Sequence, residues 1–252
     1  MDSNSPLKAY TYMFDDDKFW HKYLTLFFAT IVIMAITHLC LHETGGNEKL
    51  AVMHPMNIPL WFIYTSLLGY FYSCIAALNS QEQQFILPNF SAIKNFFFGF
   101  KSYIANIIFI PFWLFCGFFL FRLSSLNIVV TICVTVITLI LCPLLLPAFK
   151  RRFAVENKIT AYYHFADIFK SINYDKKHYL KYVINIFLFM LCIGIVNVLI
   201  TIPLVMQPPS TLTLCLHRII VSIISSYSFM VFAYLFAKSI NGPEDIEETS
   251  QW

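Results

Sequence analysis

Six stretches of about 20 residues cross the chain without an Asp, Glu, Lys or Arg in their middle, and no other feature limits its fold so strongly. They run from Tyr23 to Leu41, Ile58 to Leu78, Ser102 to Phe121, Leu126 to Leu146, Tyr182 to Ile202, and Arg218 or Ile219 to Ile240. A helix rising about 1.5 Å per residue spans a hydrocarbon core of about 30 Å at this length. Every backbone amide in hydrocarbon needs an internal partner, so uninterrupted apolar runs must be helices. The alternating strands of about ten residues that build a membrane barrel are not written here. The expected fold is therefore an all-α integral membrane protein with six transmembrane helices.

Only 12% of the residues are charged, against about 25% in a soluble domain, which excludes a soluble globular enzyme. The cations are distributed unevenly. Counted between alternate spans, Lys and Arg number 14 on one side and 3 on the other. Basic loops stay on the cytoplasmic side, so both termini are expected there, including an acidic tail over residues 241–252. The first apolar run follows three consecutive acids, Asp15 to Asp17, and is as long as a full span, so it reads as an anchor rather than a cleaved leader. The net charge of +3 gives no reason to expect a nucleic-acid partner. The seven cysteines lie in or beside spans with no CxxC spacing, as small packing residues do.

Before each odd-numbered span lies a segment with helical periodicity that is too polar to cross. The first starts at Ser5 and Pro6, a cap with proline at the first helical position, and spaces Leu7, Tyr10 and Phe14 along a helix. The second, from Pro88 and Asn89, aligns Phe90, Ile93, Phe97 and Phe100. The third, from Thr160, aligns Ala161, Phe165, Ile168, Phe169 and Ile172 opposite His164, Asp167 and Lys170. Each enters its span through a basic and aromatic step: Lys22-Tyr23, Lys101-Ser102-Tyr103 and Lys181-Tyr182. The chain thus reads as one membrane domain, residues 1–240, of three pseudo-repeats over about 5–78, 88–146 and 160–240. Each amphipathic segment is expected either to lie in the headgroup plane or to pack across the cytoplasmic ends of the spans.

The third segment is the most basic, with Lys150, Arg151, Arg152, Lys158, Lys170, Lys176, Lys177 and Lys181 as candidates for contact with lipid headgroups or a partner. The plainer explanation of the same cations is topology alone. Candidates for lining a polar cavity are Asn106, Asn185 and Asn197, with a stripe of Thr131, Thr135 and Thr138 on one helical face. Such residues more commonly hydrogen-bond neighbouring helices. No metal is expected. The weak candidates for one are His38, His42, His54 and His217, and interfacial histidines satisfied by water are their ordinary explanation. No GxSxG, no glycine-rich phosphate loop and no paired intramembrane aspartates are present, and His164 with Asp167 reads as a helix surface pair. The absence of carboxylates at membrane depth argues against a proton pump or carboxylate-based symporter.

The stretch Leu78 to Trp113 carries Leu87-Pro88 after a polar turn, an aromatic amphipathic helix, Gly99 ahead of the span and Pro111 within it. With Phe153 to Val183 and the amino-terminal AYTYMFDDDKFWHKYL, it resembles the prokaryotic multi-pass membrane family known as domain of unknown function 4013. The spans are poorer in glycine than the family pattern, a departure that bears on helix packing. The resemblance implies a bacterial or archaeal inner-membrane protein, and it brings no activity, cofactor or site residues. The resulting expectation is a non-catalytic protein without cofactors whose partners are membrane lipids or a protein in the membrane. The alternative is a transporter or lipid-handling permease with a neutral polar cavity.

Overall fold

A computed structural model describes residues 5–47, 50, 53–80, 86–106, 144–206 and 211–240. All regular structure among them is helical: α1 (Phe19–Glu43), α2 (Asn57–Asn79), α3 (Ala92–Asn106), α4 (144–156), α5 (Phe165–Tyr174), α6 (Lys176–Met206) and α7 (Thr211–Ala237). Three 3-10 helices join them, at Pro6–Tyr10, Tyr12–Asp15 and Ile159–Tyr163. Most of the expected third and fourth spans, with Asn127 and the threonine stripe, lies outside the described residues, as does the acidic tail.

Among the described residues, four helices are long and apolar enough to cross a membrane: Phe19–Glu43, Asn57–Asn79, Lys176–Ile202 and Cys215–Ala237. The apolar stretches of α2 and α7 are 44% and 50% buried, against 11% and 17% in α1 and α6, so the first two form the middle of the bundle. The outer two present Phe28, Val32 and Leu39, and Phe187, Leu191, Ile195 and Leu199, to the surroundings. Helices apolar on every side suit lipid, not water.

The entry segments differ from their expected form. Ser5 Oγ does accept from the Leu7 amide, with Pro6 opening the first turn. The segment then continues as 3-10 turns that bury Ala9, Tyr12 and Met13 and expose Leu7 and Phe14. Its position is fixed by Tyr12, whose hydroxyl donates to the Met230 carbonyl of α7 at 2.9 Å and whose ring lies 4.8 Å from that of Tyr234.

The second segment has no regular structure from residue 86 up to Ser91, and α3 then runs without a break through Lys101-Ser102-Tyr103. Its buried face is Asn95, Gly99, Ser102 and Ala105, while Ile93, Phe97 and Phe100 face outward. Gly99 packs on Gly69 of α2 so closely that a Cβ on Gly69 would lie 1.7 Å from the Asn95 carbonyl oxygen, and one on Gly99 2.0 Å from that of Thr65. Close backbone approach through small residues, with a polar face inward, is how helices associate where the solvent is lipid.

The third segment divides into the turn Ile159–Tyr163, which buries Ala161 and Tyr162, and α5, which buries only Ile168. Tyr162 lies with its hydroxyl 3.3 Å from that of Tyr72 on α2 and its ring against Phe153 on α4. Asp175 interrupts the chain and accepts from the His178 amide at 3.0 Å, so α6 starts six residues ahead of the expected Tyr182.

Candidate functional site at the basic end of the bundle

The segments Pro6–Asp15, 86–91 and Ile159–Tyr163 and the Ala237 end of α7 meet at one end of the bundle, and the charged groups there are either locked inside or turned outward. The locked pair is Asp16 with Lys22, each about 4–5% exposed. Lys22 Nζ donates to Asp16 Oδ2 at 2.6 Å and to the Leu87 carbonyl. The amides of Leu87 and Lys18 donate to the two Asp16 oxygens, each at 2.8 Å. Tyr70 of α2 donates to the Pro88 carbonyl at 2.9 Å. The Leu87-Pro88 step, read from the sequence only as a motif, is thus the point where the first two segments are pinned to α1 and α2. Burial on its own pushes the Asp16 carboxyl up, but Lys22 and the two amides outweigh it and hold it below the usual carboxylate range.

Three of the eight candidate cations are engaged within the bundle. Lys150 Nζ sits 5.7 Å and 5.6 Å from the ring centroids of Phe71 and Phe236, a double cation–π contact, and burial lowers its ammonium to about 8. Arg151 Nε donates to the Ala237 carbonyl at 3.0 Å and closes the end of α7. Arg152 bridges Glu156 at 2.5 Å and Asp167 at 3.1 Å, joining α4 to α5. The His164–Asp167 surface pair therefore includes a guanidinium that helical spacing could not reveal. The other five, Lys158, Lys170, Lys176, Lys177 and Lys181, are exposed and form no ion pair among the described residues. Beside them α5 and its entry turn expose Tyr163, Phe165, Phe169 and Tyr174, the last 69% open.

Two of the cavity candidates bond a carbonyl one turn back on their own helix. Asn106 Nδ2 donates to the Ser102 carbonyl at 2.7 Å and Asn185 Nδ2 to the Lys181 carbonyl at 2.8 Å, each on its own helix. Asn197 lies on α6, where its carbonyl accepts from Thr201 at 2.7 Å. Thr131, Thr135 and Thr138 lie outside the described residues.

The histidines are not drawn together. His38 and His42 have ring centroids 6.5 Å apart on α1, His54 contacts Glu43 and Cys40, and His217 lies on α7. Among the described residues no group of three His, Cys, Asp or Glu side chains is placed to hold a metal ion.

Sequence reasoning missed the Asp16–Lys22 lock, since its partner Leu87 lies far along the chain. It also missed the contact of Cys40 with His54. The three-acid run Asp15 to Asp17 marks an acid cluster just ahead of a span, but not which acid is buried or what it binds.

No curated protein and no solved structure matches the chain. Residues 54–206, more than half of the chain, match the family described as Protein of unknown function (DUF4013), a match that begins before α2 and takes in the Leu87-Pro88 step, α3 and all of α6. The chain belongs to that family.

Proposed function

We propose that this is a multi-pass protein of the cytoplasmic membrane, six spans in three pseudo-repeats with both ends inside the cell, whose basic end binds anionic lipid headgroups. The observation that carries the reading is α5. Ile168 anchors it, Phe165, Phe169 and Tyr174 are exposed along it, and Lys170, Lys176, Lys177 and Lys181 stand beside them without an ion pair among the described residues. Aromatic rings enter the boundary between headgroups and acyl chains, and each lysine near an anionic surface adds about 1 kcal/mol. The five exposed lysines are available for this because Lys150, Arg151 and Arg152 serve the interior. Of the candidate lining residues of the permease alternative, Asn185 bonds within its own helix, while Asn106 bonds the Ser102 carbonyl and also reaches the buried hydroxyls of Tyr72 and Tyr162.

The test is thermal unfolding of the protein in neutral detergent with added phosphatidylglycerol or phosphatidylcholine. A ligand that binds the folded state raises its stability. Phosphatidylglycerol should raise the midpoint more than phosphatidylcholine. The quadruple variant K170Q/K176Q/K177Q/K181Q should lose most of the difference. An undiminished difference in that variant would mean that these cations serve topology alone.

A further inference from the structure

At the Glu43 end of α1, opposite the basic end, three side chains form an array that lipid binding does not use. The helix stops at Thr44, whose hydroxyl donates to the Cys40 carbonyl at 2.8 Å, and Gly45 and Gly46 turn the chain with φ of 61° and 81°. The Gly46 amide donates to the Leu41 carbonyl at 2.8 Å, a helix stop built on left-handed glycine. His54 lies against this helix end. There its Nδ1 lies 3.5 Å from Cys40 Sγ and its Nε2 2.7 Å from Glu43 Oε2.

The hydrogen bonds set the direction of the array. The Met56 amide donates to His54 Nδ1 at 3.3 Å, so Nδ1 carries a lone pair and the ring proton resides on Nε2, which donates to Glu43. The thiol of Cys40 therefore faces a nitrogen able to take its proton, while a carboxylate steadies the ring from the far side. Carboxylate, imidazole and thiol follow in the order in which cysteine nucleophiles are activated. The other described thiols differ. Cys74 is buried among apolar residues, and Cys192 and Cys215 are exposed without a bond to a histidine among the described residues.

We propose that Cys40, His54 and Glu43 form a nucleophilic thiol site that takes a soft electrophile, with a small disulfide as its simplest partner. His54 Nδ1 accepts the Sγ proton as the Met56 amide gives way. The sulfur attacks one sulfur of the disulfide, a new S–S bond to Cys40 forms, and the S–S bond of the reagent breaks. The leaving thiolate takes the proton back from His54. Cys40 is oxidised to the mixed disulfide, and the departing sulfur of the reagent is reduced to a thiol. Glu43 touches neither sulfur and acts as a positioning residue for the ring.

The experiment treats the full chain in detergent with 4,4′-dithiodipyridine and locates each mixed disulfide by peptide mass spectrometry, between pH 6 and 9. His38 and His42 are the other described titratable side chains at this end of α1, and both stay in place. In the unaltered protein Cys40 should react about tenfold or more faster than Cys192 and Cys215 at pH 6. The H54N and E43Q variants should slow Cys40, H54N by about tenfold, and leave the rate at Cys192 unchanged. The rate at Cys40 should also depend more steeply on pH once His54 is replaced. Cys40 is only 2% exposed, so a His54 that merely pins the loop makes the opposite prediction: H54N would open the site and speed the reaction. That acceleration, an unchanged rate in H54N, or a Cys40 slower than Cys192 in the unaltered protein would each overturn the proposal.

Discussion

Asp16 and Lys22 show how one residue pair holds two distant parts of the chain. A buried ion pair contributes little net stability when both members are exchanged for apolar groups, but removing one member leaves an uncompensated charge. K22M should therefore destabilise the protein by about 3–5 kcal/mol, and the D16N/K22M double variant should recover part of that loss, as read by unfolding in detergent. The pH dependence has a definite sign. Asp16 is held below its unfolded value of about 3.9, so its contribution is complete above that value and fades as pH falls through the lower folded value. Melting midpoints measured from pH 7 to pH 3 should fall more steeply for the unaltered protein than for D16N. None of this was legible in the sequence, where Asp15 to Asp17 reads as a charge run. Which of three adjacent acids is buried depends on where Leu87 lands, and a long-range backbone contact leaves no local signal.

At the level of elements, helical periodicity is legible in the sequence for the described helices, but which face turns inward is not, for one physical reason. The spacing of Ile93, Phe97 and Phe100 does describe one face of α3, and helical periodicity is correctly legible there. In water that face would pack inward. In lipid the surroundings are as apolar as phenylalanine, so association is left to close packing and hydrogen bonds, and the small and polar face turns in. Ser66 of α2, for example, donates across the interface to the Ala92 carbonyl at 3.1 Å. The glycines follow from the same logic. G99A should force α2 and α3 apart and destabilise the protein by about 1–3 kcal/mol, since the added carbon meets the Thr65 backbone and not a movable side-chain tip. Gly194, with open space around its Cβ position, is the control: G194A should leave the melting midpoint within a degree or two or raise it slightly. The boundaries of α1 and α2 were nearly as expected. The start of α6 was not, because Lys176 and Lys177 at a helix end are too polar to count toward a span although the helix passes through them.

For the whole molecule, the described helices make a bundle that is apolar outside as well as inside, with α2 and α7 central and the entry segments closing one end. Each entry segment seats against a helix contributed by another part of the chain. Tyr12 bonds to α7, Pro88 accepts from α2, and Tyr162 packs on α4. The proposed orientation in the bilayer rests on the 14 cations on one side and 3 on the other. The most direct test places a small accessible epitope at each end of the chain and a third beside Lys158, and compares antibody or protease access in intact and permeabilised cells. The account predicts that all three are shielded until the cells are permeabilised. Access to either end, or to Lys158 alone, in intact cells would contradict it.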